Sequence, residues 1–275
     1  MRIDSHQHYW DIHRFNYFWM DENTPTILKQ NFLPADLKPI YELNRIDGSV
    51  LVQASHTMEE TWWSLELAES DRSILGVVAW VDLTDPKVGN TLDKMQGYSF
   101  LKGVRHLVQD EPDDRWLLRT EVLEGLRELA RRGLPFDLCI HPRHLALIPL
   151  VAERVPNLRM VIDHIAKPLI GKREMEPWAK DIADAARIPQ IYCKLSGVIS
   201  EAGPRWKASD LQPYLTHCFT EFGPNRCMFG SDWPVCLTAG TWKQVLAAFT
   251  QALGAREVGV REKLMGLTAQ EFYAL

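Results

Sequence analysis

The chain has 275 residues, 46% of them hydrophobic and 24% charged, and its 31 basic against 36 acidic side chains give a net charge of −5. This apolar content excludes a disordered chain, and a mildly acidic balance without a basic run excludes an electrostatic nucleic-acid footprint. No apolar stretch approaches the ~18 residues that a membrane span requires, so no membrane partner is expected.

The first ten residues, MRIDSHQHYW, lack the positive n-region and apolar h-region of a secretory signal. The five cysteines, at 139, 193, 218, 227 and 236, form neither a Cys-x-x-Cys pair nor a compact disulfide framework. They read as reduced thiols, and the expected compartment is the cytoplasm.

Short apolar runs then alternate with amphipathic stretches. Strands are expected over Arg2–His8, Ser49–Ser55, Ile74–Leu83, Phe100–Val108, Pro135–His141, Arg159–His164, Ile191–Ser196 and Arg226–Asp232. Between the fourth and fifth, Leu117, Leu118, Val122, Leu123, Leu126, Leu129 and Ala130 keep a helical stripe that Gly133 ends. Further helices are expected from Ser209 to Phe222, bounded by Gly223-Pro224, from Thr241 to Leu253, and from Arg261 to Tyr273. Trp62-Trp63 reads as helix packing. Several strands are continuous apolar runs, as when both faces of a parallel sheet are buried. Eight strand–helix alternations with no linker or composition break predict one domain over residues 1–275, a (β/α)8 barrel of the TIM type. A doubly wound open sheet is the rival, but no G-x-G-x-x-G or Walker loop supports it.

Barrel chemistry sits at the C-terminal strand ends. Those ends carry His6-Gln7-His8, Arg105-His106, His141, Asp163-His164, Lys194 with Ser196, and Ser231-Asp232. In His6-x-His8 both imidazoles can face one centre, because residues i and i+2 of a strand point to one side. Imidazole nitrogens hold zinc at about 2.0–2.1 Å, and a catalytic site keeps one position open. His164 and Asp232 end equivalent strands. A carboxylate and an imidazole at one mouth can hold a metal, activate water and exchange a proton with a leaving group. Arg105, His106, His141 and Lys194 are candidate substrate contacts, with His56 and Gln109 beside them. Among Trp10, Trp19, Trp80 and Trp233, the last adjoins Asp232 and is favoured as a ring-packing surface.

Taken in order, Ile3-Asp4-Ser5-His6-Gln7-His8, Gly103-Val104-Arg105-His106, Ile162-Asp163-His164-Ile165-Ala166-Lys167-Pro168, Cys193-Lys194-Leu195-Ser196-Gly197 and Phe229-Gly230-Ser231-Asp232-Trp233-Pro234 resemble the amidohydrolase superfamily, in its sugar-lactone hydrolase branch. The resemblance covers nearly the whole chain. It implies a barrel, hydrolysis of the cyclic ester of a small sugar lactone, and a mouth site of His6, His8, His164 and Asp232. Strand four offers Arg105 and His106 where two-metal members use a modified lysine or a glutamate, so one divalent ion is expected, zinc being the favoured metal, on His6, His8 and Asp232. Asp232 and His164 are the expected proton-handling pair. If no metal binds, the three histidines would donate hydrogen bonds to an oxyanion instead. A decarboxylase of the same superfamily, or a non-catalytic metal- or sugar-binding barrel, are the alternatives. No heptad or interface stripe marks an oligomer.

Overall fold

Eight β-rich runs, each too short to bury its own faces, are stable only when paired and covered by helices. The computed structural model describes residues 1–275. Its strands are β1 (Ile3–Gln7), β2 (Gly48–Val52), β3 (Ile74–Ala79), β4 (Leu101–His106), β5 (Phe136–Leu138), β6 (Met160–Ile162), β7 (Ile191–Leu195) and β8 (Cys227–Phe229). Each pairs in parallel with the next, in the order β1 to β8. The ring closes through backbone beyond the last strand: Asp232 N donates to His6 O at 2.8 Å, and His8 N donates to Trp233 O at 2.7 Å. This is the (β/α)8 barrel that the alternation predicts.

The connecting helices are α1 (Pro34–Asn44), α2 (Met58–Ser70), α3 (Val88–Met95), α4 (Thr120–Arg131), α5 (Ile148–Arg154), α6 (Trp178–Ala186), α7 (Val198–Ala202), α8 (Ala208–Phe222) and α9 (Trp242–Leu253), followed by α10 (Val258–Glu262) and α11 (Thr268–Tyr273). A large core lies between strands and helices. A smaller cluster of Ile3, Val50, Val52, Val78, Val161 and Met228 fills the barrel interior, and Ala269, Phe272 and Tyr273 of α11 cap it. The bottom of the barrel is therefore sealed by side chains.

Two expectations are corrected. The continuous helix expected over Arg261–Tyr273 is broken into α10, a π turn over Lys263–Leu267, and α11. The break lies at Gly266, whose Cα sits against the Met1 carbonyl so closely that a Cβ there would lie 2.1 Å from its oxygen. The strands are also shorter than their apolar runs. Pro135–His141 yields only Phe136–Leu138, and Arg226–Asp232 only Cys227–Phe229. The residues that close these runs leave the ladder to form the mouth.

No helix is long and apolar enough to cross a membrane. All five cysteines are buried and free.

Candidate active site

His6 reaches the barrel axis because of a register shift. Ile3 packs in the interior cluster, and Asp4 points outward to accept from Tyr41 Oη (3.1 Å) and Trp242 Nε1 (2.9 Å) of the helical layer. Strict alternation from there would turn His6 outward. Instead the pairing jumps between Asp4 and Gln7, three residues of β1 spanning two of β2. The bulge flips the parity and sends His6 and His8 inward. Asp4 holds this seam from outside by accepting from Ser231 N (2.8 Å) and His6 N (3.3 Å).

His6 Nε2 and His8 Nε2 lie 3.1 Å apart, and they stand 3.8 and 3.4 Å from Asp232 Oδ1. His164 Nε2 is 3.8 Å from the same oxygen. All four residues are buried. His8 Nδ1 lies 2.7 Å from Val52 O, to which it donates, so its Nε2 is left with the lone pair. Burial lowers the pKa of His6, His8 and His164, the last to about 4. Burial also works to raise Asp232, but the three histidines around it hold its carboxyl well below the usual range. The surroundings thus favour the ionised form of the carboxylate and the neutral form of the imidazoles.

That arrangement answers whether a metal fits. Two donors bound at about 2.0–2.1 Å to one tetrahedral zinc sit roughly 3.3–3.4 Å apart. The separations among His6, His8 and Asp232 bracket this value. Imidazole and carboxylate lone pairs turned on one another repel unless a proton or cation lies between them, so the donor set fits a divalent ion. His6, Asp163 and His164 form an overlapping second group of candidate ligands.

Beneath the histidines lies a buried ion network. Lys194 Nζ contacts Asp137 Oδ2, Asp163 Oδ1 (3.1 Å) and His6 Nδ1 (3.1 Å). Tyr273 Oη donates to Asp137 Oδ2 at 2.7 Å. Arg105 Nη1 lies 3.1 Å from Asp163 Oδ2 and 3.3 Å from His6 Nε2, while Nη2 donates to the Gln53 carbonyl oxygen and to Gln53 Oε1. Burial alone would raise the Asp163 pKa, but Lys194, His6 and Arg105 hold it well below the ordinary carboxylate range.

The cavity above this centre has a volume of about 270 Å³ and is lined by His8, Trp10, Trp19, Thr24, Pro25, Leu28, Ala54, Arg105, Leu107, Gln109, Asp110, Cys139, His164, Lys167, Asp232 and Val235. It has the mixed apolar and polar wall of a small-molecule site.

Several expected substrate contacts lie elsewhere. Lys194 is fully buried below His6, with both neighbouring carboxylates engaged, and does not face the cavity. His106 is sandwiched between His56 and Trp116, with ring centroids 4.0 and 4.1 Å away. Its two nitrogens are taken by Trp80 Nε1 (3.2 Å) and Glu111 Oε1 (2.6 Å). Trp233 packs against Tyr9 and Phe32 in the core, and Trp10 and Trp19 form the aromatic wall instead. His141 lies three residues past the end of β5, at the start of a 3-10 turn, half-buried and outside the cavity lining. Arg105 and Gln109 do line the cavity. The sequence singles out neither Asp137 nor Lys167, and it marks Asp163 as a strand end without a role. Asp163 and Lys167 stand within the quoted Asp163-His164-Ile165-Ala166-Lys167 segment, so their signal was present but carried no assigned role.

Comparison with known proteins agrees with this architecture. Residues 3–275 match the family model described as amidohydrolase. An L-fucono-1,5-lactonase of Burkholderia ambifaria is 32% identical over 278 residues, covering 100% of this chain and 96% of that protein. An L-fucono-1,5-lactonase of Burkholderia multivorans is 33% identical over 288 residues, with the same coverage of 100% and 96%. The crystal structure of an amidohydrolase from Burkholderia multivorans with bound zinc superposes with a TM-score of 0.93 at 32% identity, covering 100% of this chain and 99% of that one. The chain belongs to the amidohydrolase family.

Proposed function

We propose that the protein hydrolyses the cyclic ester of a small sugar lactone in the cytoplasm, with Asp232 as general base. The observation that carries this reading is the Asp232 carboxylate, whose Oδ1 lies 3.4–3.8 Å from the Nε2 atoms of three histidines, at the floor of a cavity sized for one sugar ring. Support also comes from the two full-length L-fucono-1,5-lactonase relatives.

Opening a lactone needs an activated water, a polarised carbonyl and a proton for the departing ring oxygen. Asp232 takes a proton from water as its oxygen bonds to the carbonyl carbon. When the ring C–O bond breaks, Asp232 and His164 pass that proton to the alkoxide, giving a hydroxy acid. His164 is positioned for this by Ser196 Oγ, 3.0 Å from its Nδ1. Arg105 keeps positive charge against the cavity floor, anchored by Asp163 and Gln53. Trp10 and Trp19 offer apolar faces to a sugar ring and exclude water.

His6, His8 and Asp232 would hold one divalent ion, with zinc the favoured metal because two imidazoles and one carboxylate suit it. When bound, the ion supplies Lewis acidity to the carbonyl or lowers the pKa of water.

A pH-indicator screen over aldonolactones, run with and without chelator and alongside carbon dioxide detection, tests the reading. Acid release from at least one lactone is expected. Carbon dioxide instead would assign decarboxylation, and no turnover with tight ligand retention would assign a binding protein. Metal analysis is expected to give one equivalent per chain, and two would refute the single-ion site. Undiminished activity in metal-free protein would move the histidines to hydrogen bonding of the oxyanion.

A further inference from the structure

A tetrahedral intermediate places a full negative charge on the former carbonyl oxygen, and an unpaired cation preorganised beside it in a low-dielectric cavity adds to its stabilisation. Only two basic side chains line this cavity, Arg105 and Lys167. The Arg105 terminal nitrogens are occupied by Asp163, Gln53 and His6. Lys194, the third cation near the centre, is sealed below. Lys167 differs from both. Lys167 is half-buried, and its ammonium takes part in none of the ion pairs or side-chain hydrogen bonds that bind the other two.

The backbone that delivers Lys167 is the second observation. His164, Ile165, Ala166 and Lys167 have φ of 53°, 49°, 61° and 52°, four successive non-glycine residues in the left-handed region. Side chains with a Cβ crowd the backbone there, so each such residue is strained. The turn persists because it is fastened: Lys167 N donates to His164 O at 2.8 Å and Trp178 Nε1 donates to Ile165 O at 2.7 Å. Strain held by several contacts marks functional placement, and here it brings His164 and Lys167 to the same cavity.

We propose that Lys167 is a further catalytic residue, whose ammonium binds the lactone carbonyl oxygen as it becomes an oxyanion and then holds the product carboxylate. This rests on the lactonase reading above. Water supplies the new C–O bond, its proton goes to Asp232, and Lys167 keeps all its protons throughout.

The test compares wild type with Lys167→Met and Lys167→Arg, using the aldonolactone panel for turnover. Titration calorimetry with the matching aldonates and with their neutral alditols measures binding. For Lys167→Met we expect kcat to fall by about 10²–10³, the loss typical of one oxyanion donor, with KM changed far less. Aldonate affinity should drop at least about tenfold while alditol affinity is unchanged, and Lys167→Arg should recover part of both losses. Wild-type kcat and aldonate binding in folded Lys167→Met would overturn the proposal, as would equal losses for aldonate and alditol. Wild type that binds no aldonate would also overturn it. A wild type that binds aldonates through Lys167 but turns over no lactone would fail the lactonase reading alone, so the two failures are distinguishable.

Discussion

Asp232 is the one ionised carboxylate that faces both the cavity and the three histidines. It sits at φ 57°, outside the β8 ladder, so its placement depends on the seam hydrogen bond from its own N–H to His6 O. Asp232→Asn keeps the shape but removes the proton acceptor. The expected outcome is a kcat lower by about 10²–10⁴ with the melting temperature nearly kept. A destabilised variant with normal single-turnover hydrolysis would make Asp232 structural. At this scale the sequence was informative where a residue type alone implies chemistry, as for His6, His8 and His164. It was misleading for long cations. A lysine on a strand and one just past a strand read alike, yet Lys194 is locked to Asp137 and Asp163 while Lys167 is free. Only the partners decide, and they come from strands far apart in sequence.

The same limit governs whole elements. The eight apolar runs located the strands, because burial on both faces leaves a continuous signal. Their ends were overextended, since Ser231, Asp232 and His164 follow the apolar residues directly but turn out of the ladder. Neither the β1 bulge nor the left-handed turn after β6 has a local signature, as no glycine marks them. A glycine does mark the neighbouring element. Gly197, the N-cap of α7, has φ 67°, and a Cβ there would lie 2.6 Å from His164 Nδ1. Gly203, at the other end of α7, has φ 80° and nothing within 4 Å of its would-be Cβ. Gly197→Ala should lower both stability and kcat, the latter by up to about 10², because a displacement of about 1 Å in a group that acts on the substrate can cost that much. Gly203→Ala should cost roughly 1–3 kcal/mol of stability, since its φ 80° and ψ 173° lie in a region open to glycine almost alone, with kcat unchanged. Thermal melts and kcat on the pair check this, and an unimpaired kcat in Gly197→Ala would separate the α7 contact from catalysis.

Across the whole molecule, closure and chemistry are one feature: the seam between β1 and the segment after β8 carries His6, His8 and Asp232. The opposite end is closed by α11, whose Tyr273 reaches Asp137 and so touches the ion network under His6. Such a barrel buries ionisable groups that unfolding returns to water, and global stability then depends on pH. Glu60 of α2 offers the cleanest case. It is 1% exposed, its Oε1 accepts from Ala54 N at 2.8 Å, and its Oε2 has no partner. Burial pushes its pKa from 4.5 up to about 8, against the lowering effect of the Ala54 and Ser55 amides and of Arg105. The folded state therefore retains a proton that the unfolded chain releases above pH 4.5. The stability this provides is fully present below pH 4.5 and is lost as pH rises through about 8. Buried histidines act in the opposite sense. His56 and His106, lowered to about 3 and about 4 by burial, refuse protons that the unfolded chain takes up below pH 6.5. A melting curve of wild type alone would mix the two trends, so the difference between wild type and Glu60→Gln is the useful quantity. Glutamine cannot ionise, and its carbonyl can still accept from Ala54. The melting temperature of Glu60→Gln minus that of wild type should be constant below pH 4.5 and grow steadily more positive up to pH 8, by on the order of 10 °C. A difference that stays flat across this range would mean that Glu60 ionises alike in the folded and unfolded chains.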